Sequence, residues 1–347
     1  MATIDNNPWK GLAAYAEGDL IYGRDNDIRR LNHMIVNHPF VTLYGQTGIG
    51  KTSLLRAGVF PELRYDDILP VVVRFSEMSA NEVKTKTMAQ FLAEKVVAIE
   101  GIEVEVNEGV GNDPVDFTAL DCLWKWFHSR KFYKNGTEVV PAVVLDQFEE
   151  NFITEKSNTW RLMEQLYAMI GISYITPENY NNYNNFHIVF SIREDDLFRM
   201  EDCIDNRCLN QFKNNRYRLN RLSDDDANAV ILNPAGAACM VDGSGNAADD
   251  IMRMEIADAI IAQVKGNCDD SISSLILSLV CFELYNRGNG RIELDDAKRY
   301  GSNGNFLRTF YRNLAADMPK QLRKTIETKL IEPKTYLIAL RYVVLAK

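Results

Sequence analysis

The chain lacks several features that would have narrowed its reading at once. Its six cysteines form no C-x-x-C pair and have no histidine close by, which fits neither a zinc site nor a disulfide framework. Isolated thiols of this kind are expected to be buried and reduced, as in a cytoplasmic protein. No apolar run approaches the ~18 residues that cross a bilayer, so no membrane partner is expected. The N-terminal stretch has neither a basic region nor an apolar one, so no secretory signal is expected there. There is no excess of positive charge either. A net charge of -9 over 347 residues argues against a broad nucleic-acid-coating surface, which would need concentrated Lys and Arg.

What is present is an ordinary globular composition, 46% hydrophobic and 25% charged, long enough for two or three structural units. Between about residues 20 and 222, short β-branched runs alternate with amphipathic stretches. The runs are FVTLYG (40–45), LPVVVRFSE (69–77), VVPAVVLD (139–146) and FHIVFSIRE (186–194). Each is apolar on both faces, as expected of interior strands in a mostly parallel sheet covered by helices, and the fold class is α/β. Two segments, 100–116 and 177–185, read as surface loops. After residue 222 the pattern turns helical. Ser223 followed by acidic residues suits a helix start, and Ile272, Leu275, Ile276, Leu279 and Val280 fall on one helical face as candidate core.

The spacing Gly45-x₄-Gly50-Lys51-Thr52 follows an apolar run and opens a helix-like segment. This pattern lets backbone N–H groups wrap phosphates, Lys reach the β/γ oxygens and Thr ligate Mg²⁺. The expected ligand is ATP, since the Asn/Thr-Lys-x-Asp pattern that reads guanine is not apparent. Asp146 ends the run PAVVLD and suits the carboxylate that holds the metal. Glu149 and Glu150 follow within one turn; one of them, Glu149 ahead of Glu150, would direct the attacking water, or both would cap a helix. Arg193 ends the fourth run, where it would read the γ-phosphate or pair with Asp195 or Glu149.

With these elements in place the chain resembles the STAND class of signalling NTPases, most closely the bacterial novel STAND group. The resemblance runs from NPWKGLAAYAEGDLIYGRD through GQTGIGKTSLLRAGVFPELR, VVLDQFEENF and IVFSIREDDLFRM to YRLNRLSDDDANAVILNPA, about residues 7–285. It implies that Gly45, Gly48, Gly50, Lys51, Thr52 and Ser53 bind phosphates and Mg²⁺, that Asp146 holds Mg²⁺, that Glu149 or Glu150 serves hydrolysis and that Arg193 is a sensor. Tyr22, Gly23 and Arg24 would lie near the adenine, or YGRD would cap the helix after it. The implied layout is an NTPase core (1–222), a helical lid (223–302) and the start of a winged-helix-like domain (303–347).

Two departures stand out. Where the family's lid helix carries a base-packing proline, this chain has Ser274, and the winged-helix segment is not completed. The chain is therefore expected to be part of a longer protein, with effector and sensor modules elsewhere in that protein or in a partner. The resemblance implies a slow ATP/ADP switch that assembles with its own copies when active, in bacterial members often for antiphage defence. The rival readings are a motor or remodelling ATPase and a non-hydrolysing adaptor; the adaptor would be favoured if the acidic pair lay far from the phosphate loop.

Overall fold

The computed structural model describes residues 7–106, 115–154, 156–175, 185–204, 212–235, 247–266, 271–299, 310, 315 and 318–329. Seven strands form one sheet: β1 Phe40–Gly45, β2 Ile68–Val73, β3 Ile102–Val106, β4 Arg130–Lys134, β5 Thr137–Leu145, β6 His187–Arg193 and β7 Arg216–Arg218. Five of them run parallel in the order β2-β5-β6-β1-β7. The long β5 serves two neighbours. Its residues from Val140 onward pair with β2, while Thr137 to Val139 pair antiparallel with β4, which pairs antiparallel with β3. The sheet is thus mixed. Residues 102–106, expected to be loop, are strand because their backbone finds a partner in β4, a short strand with little apolar signal of its own.

Side-chain parity divides the sheet into two cores, as the period of two along a strand requires. Val143 and Leu145 face one side with Phe190, Phe148 and the helices Met88–Val97, Cys122–His128 and Lys156–Ile175. Ala142 and Val144 face the other with Leu43, Leu31 and Ile35 of the helix Asp25–Asn37, and Leu54 and Val59. Strands buried on both faces must be apolar throughout, which is why these four runs stood out in the sequence. The expected boundaries shift slightly: β2 stops at Val73 and Phe75–Glu77 is a 3-10 turn.

Beyond β7 the described elements are helices: Asp224–Ala235, Ala247–Gly266, Ser274–Arg287, Leu294–Arg299 and Lys320–Lys329. The first begins with a capping box. The Ser223 hydroxyl accepts from the Asp226 N–H at 3.1 Å, and the Asp226 carboxylate accepts from the Ser223 N–H at 3.3 Å. The first four helices enclose a third apolar cluster, separate from the sheet's two. Ile272, Ile276, Leu279 and Val280 are buried in it as expected. Leu275 is not; it turns toward the phosphate loop. The lead-in also joins this cluster. Trp9 is fully buried there, its indole donating to the Val230 carbonyl at 3.0 Å and meeting Tyr285 edge-on.

Among the described residues no helix is long and apolar enough to cross a membrane. Cys122, Cys203 and Cys281 are buried free thiols, and burial pushes Cys122 and Cys203 up to about 11. The other three cysteines, loop 177–184 and most of 303–347 lie outside the described residues.

Candidate functional site

β1 ends at Gly45, where a side chain has no room: a Cβ there would sit 2.8 Å from the Leu219 carbonyl oxygen. The turn that follows passes through left-handed backbone at Gly48 (φ +76°) and Gly50 (φ +101°), which glycine adopts without a steric penalty. Helical turns Lys51–Ser53, Leu54–Val59 and Phe60–Tyr65 then run on without a break, the middle one a π turn. The LLRAG stretch acquires a structural reason here. Its leucines are buried, and at Gly58 a Cβ would lie 2.6 Å from Ile28.

Lys51 folds back on the turn, its Nζ donating to the carbonyls of Gly45 at 2.9 Å and Gln46 at 3.3 Å. The Thr52 hydroxyl lies 3.3 and 3.2 Å from the two carboxylate oxygens of Asp146. Asp146, 4% exposed, follows β5 and is anchored through its N–H to the Val73 carbonyl of β2. Its Oδ2 also accepts from Arg74, at 2.5 Å from Nη2 and 3.1 Å from Nε. These residues fit a nucleotide with Mg²⁺: a turn whose bends at Gly48 and Gly50 carry no Cβ, a lysine folded over it, and a hydroxyl beside a buried carboxylate. Among the described residues no cluster of three or more His, Cys, Asp or Glu offers a protein-only metal cage. Mg²⁺ is suited to such a site, since it is typically held by one or two carboxylates plus phosphate and water.

β6 lies between β1 and β5, and that order brings the remaining groups to the same edge. Gln147 is left-handed (φ +57°), which sends Phe148 into the core and turns Glu149 back over the strand ends. The Glu149 Oε2 accepts from the Arg193 N–H at 3.3 Å. Burial pushes this carboxyl above its ordinary range, opposed by a backbone hydrogen bond, the Lys51 charge and Arg193. Glu149 is therefore within electrostatic reach of the loop lysine. Glu150 is half-buried one residue further on. Arg193 stands opposite Gly45 in the register, and its guanidinium pairs with Asp195 at 3.2 Å.

The lead-in residues separate. Tyr22 and Arg24 line a cleft beside the turn, whereas Gly23 (φ +68°) packs so close to the helix Asp224–Ala235 that a Cβ would meet the Asp226 carbonyl at 2.3 Å. Arg24 is 7% exposed and donates to Asp27, to the Asn220 and Ile49 carbonyls and to the Ser274 hydroxyl. It contributes no side-chain cap to the helix after it. Ser53 accepts from the Tyr15 N–H at 3.2 Å, and Tyr15 also lines the cleft. Ser274 opens the helix Ser274–Arg287 and donates to the Ile49 carbonyl at 2.8 Å. The cleft holds about 650 Å³ of atom-free space, part of it open to solvent. Pro234, Leu275 and Ser278 form its helical wall. A proline thus does face the cleft, from the helix Asp224–Ala235 rather than from the position of Ser274. Arg74, Tyr15 and Pro234 carried no recognisable signal in the sequence.

The family description Novel STAND NTPase 1 matches residues 8–287. The chain belongs to the novel STAND NTPase 1 family. This STAND chain is accordingly an ATP-binding P-loop NTPase with an α/β core. No curated protein matches it. Among solved structures it is similar to the Walker-type ATPase PABY2304 of Pyrococcus abyssi, with 14% identity, 96% of this chain and 87% of that one covered, and a TM-score of 0.50. That likeness concerns the fold alone. Weaker likenesses are to Cdc6p of Pyrobaculum aerophilum (15% identity, 85% and 69% covered, TM-score 0.46) and the DNA-bound ORC1 protein of Aeropyrum pernix (13%, 94% and 82%, 0.45).

Proposed function

We propose that this STAND NTPase is a slowly hydrolysing signalling switch, off with ADP and on with ATP, when it assembles with further copies of itself. The observation that carries this reading is the cleft. Its walls come from the lead-in, the phosphate turn and the helical bundle, and Ser274 of the bundle bonds directly to the peptide of Ile49 within the turn. A ligand in the turn then contacts both halves of the molecule, and it shifts their arrangement by as much as its affinity differs between two arrangements. The helices from Asp224 to Arg299 serve as the lid in this account.

Lys51 would leave the Gly45 and Gln46 carbonyls for phosphate oxygens. Gly45, Gly48, Gly50 and Ser53 would shape and line the cradle, with Tyr22 and Pro234 flanking the base. Thr52 and Asp146 would hold Mg²⁺, which when bound neutralises charge on the β- and γ-phosphates. Glu149 would orient a water and take its proton, a task suited to a carboxyl whose affinity for protons is raised by burial. Its position near Lys51 supports hydrolysis over a non-hydrolysing adaptor. Arg193 would exchange its pairing with Asp195 for the γ-phosphate. Effector and sensor modules, elsewhere in a longer protein or in a partner, would supply output and trigger, and antiphage defence is the setting we propose.

The test is to identify the nucleotide that copurifies with the chain and to measure turnover for wild type and Glu149→Gln. Retained ADP and turnover well below ~1 s⁻¹ are expected, against typical enzyme rates of about 1 to 10³ s⁻¹. Fast hydrolysis stimulated by nucleic acid would instead identify a motor.

A further inference from the structure

Arg74 has no place in the switch as described, yet it makes the shortest ionic contact to the site's buried carboxylate. The cause lies in the register. Val73 pairs with Leu145, so the next residue on each strand, Arg74 and Asp146, leaves the sheet side by side at its ligand-facing edge. Both Nε and Nη2 of Arg74 reach the same oxygen, Oδ2, at 3.1 and 2.5 Å. The Asp146 side chain is 2% exposed and that of Arg74 is 24% exposed, so the pair is screened by little water on the carboxylate side. Thr52 lies within hydrogen-bond distance of both carboxylate oxygens, so Oδ1 is the one that faces Thr52 without also serving Arg74.

We propose that Arg74 is the resident counter-ion of Asp146 and sets how weakly the site holds its divalent cation. The inference rests on the reading of Asp146 as the Mg²⁺ carboxylate. A guanidinium is charged at any pH the protein meets, and here it satisfies one carboxylate oxygen from two nitrogens. The pair carries no net charge, so its pull on a divalent ion is weaker than that of a lone carboxylate, and a nearby fixed cation repels the metal. Mg²⁺ gives up its water reluctantly, which makes it sensitive to such competition. Nucleotide retention then depends on the turn and Lys51 more than on the metal.

The test is an electron paramagnetic resonance titration with Mn²⁺ as the probe, on the full ADP-loaded chain. Arg74→Met is expected to tighten Mn²⁺ binding about tenfold or more, while Arg74→Lys, which keeps the charge, changes it by less than about threefold. Asp146→Asn is expected to weaken it about tenfold. Unchanged or weaker binding in Arg74→Met overturns the proposal, the latter outcome making Arg74 an orienting group for Asp146. So does equal tightening in Arg74→Lys, because geometry rather than charge would then be responsible. Should Arg74→Met fail to fold, Arg74→Gln is neutral, retains an N–H for Oδ2 and is read the same way. If Asp146→Asn has no effect, the Asp146 assignment falls and the inference with it. If Asp146→Asn weakens binding while Arg74→Met changes nothing, only the role of Arg74 fails.

Discussion

In the α/β core, the residues around the phosphate turn are placed by strand register; in the helical bundle they come from the start of one helix and the end of another. Gly45 and Arg193 are register partners, and Val73 and Leu145 fix Arg74 beside Asp146, inside a sheet buried on both faces. The bundle reaches the same turn through Ser274 and Leu275 in the first turn of one helix, and Pro234 near the end of another lines the cleft beside it. The lead-in spans both regions, with Trp9 inside the bundle and the Tyr15 N–H on Ser53 of the core. A side fixed by a cooperative hydrogen-bond ladder resists displacement, whereas one fixed by a few polar contacts can be released at modest cost. In the proposed switch, the core therefore binds and the bundle moves.

Four substitutions probe that division. On the core side, Glu149→Gln is expected to lower turnover by about 10²- to 10⁴-fold with nucleotide affinity little changed, the range for loss of a general base. The wild-type rate is also expected to fall as pH drops through the raised Glu149 value, a limb the Gln variant lacks. The same shift carries a stability term. Because the folded value lies above the unfolded one, the relative stabilisation is fullest below the ordinary carboxylate range and is lost as pH rises through the folded value. Urea titrations of wild type and Glu149→Gln across that interval would read it.

In the bundle, Trp9→Ala removes a fully buried indole and is expected to cost about 3–5 kcal/mol. Proteolysis should then open the helices between Asp224 and Arg299 before the sheet; simultaneous loss of both regions would erase the distinction between them. Back at the turn, Lys51→Ala is expected to weaken nucleotide binding by ~2–3 kcal/mol, roughly 30- to 150-fold, without altering bundle stability, which calorimetric titration and thermal melts would separate. Ser274→Ala should have the smallest effect, ~1 kcal/mol, seen as faster ADP release with unchanged hydrolysis at saturation.

The sequence exposed the core side far better than the bundle side. Strands apolar on both faces, a glycine turn before Lys51 and an aspartate after β5 are local patterns, each readable within about ten residues. Asp146 could be joined to Thr52, 94 positions away, because the chemistry of a phosphate site demands such a carboxylate. Nothing comparable demanded Arg74, whose pairing depends on which strands become neighbours. Arg24 was tied to the base by resemblance, whereas its guanidinium holds carbonyls contributed from residues 49 and 220. Leu275 fits the apolar face of its helix by periodicity, and only the nearby phosphate turn draws it out of the core. β3 alternates strictly (IEVEV) and is a legible strand signal set inside an acidic, glycine-bearing stretch, whereas β4 (RKFYK) carries little apolar signal, and their partnership is visible only once β5 is seen to extend beyond β2.

In the proposed switch, what occupies the phosphate turn decides how the bundle sits on the core. Amide hydrogen exchange in Glu149→Gln, saturated with Mg-ATP or with Mg-ADP, measures this at the first turn of the helix Ser274–Arg287 and in residues 45–50. Different protection of that helical turn is expected in the two states, with strands β1, β5 and β6 unchanged. Identical protection of the helix with both nucleotides would contradict it.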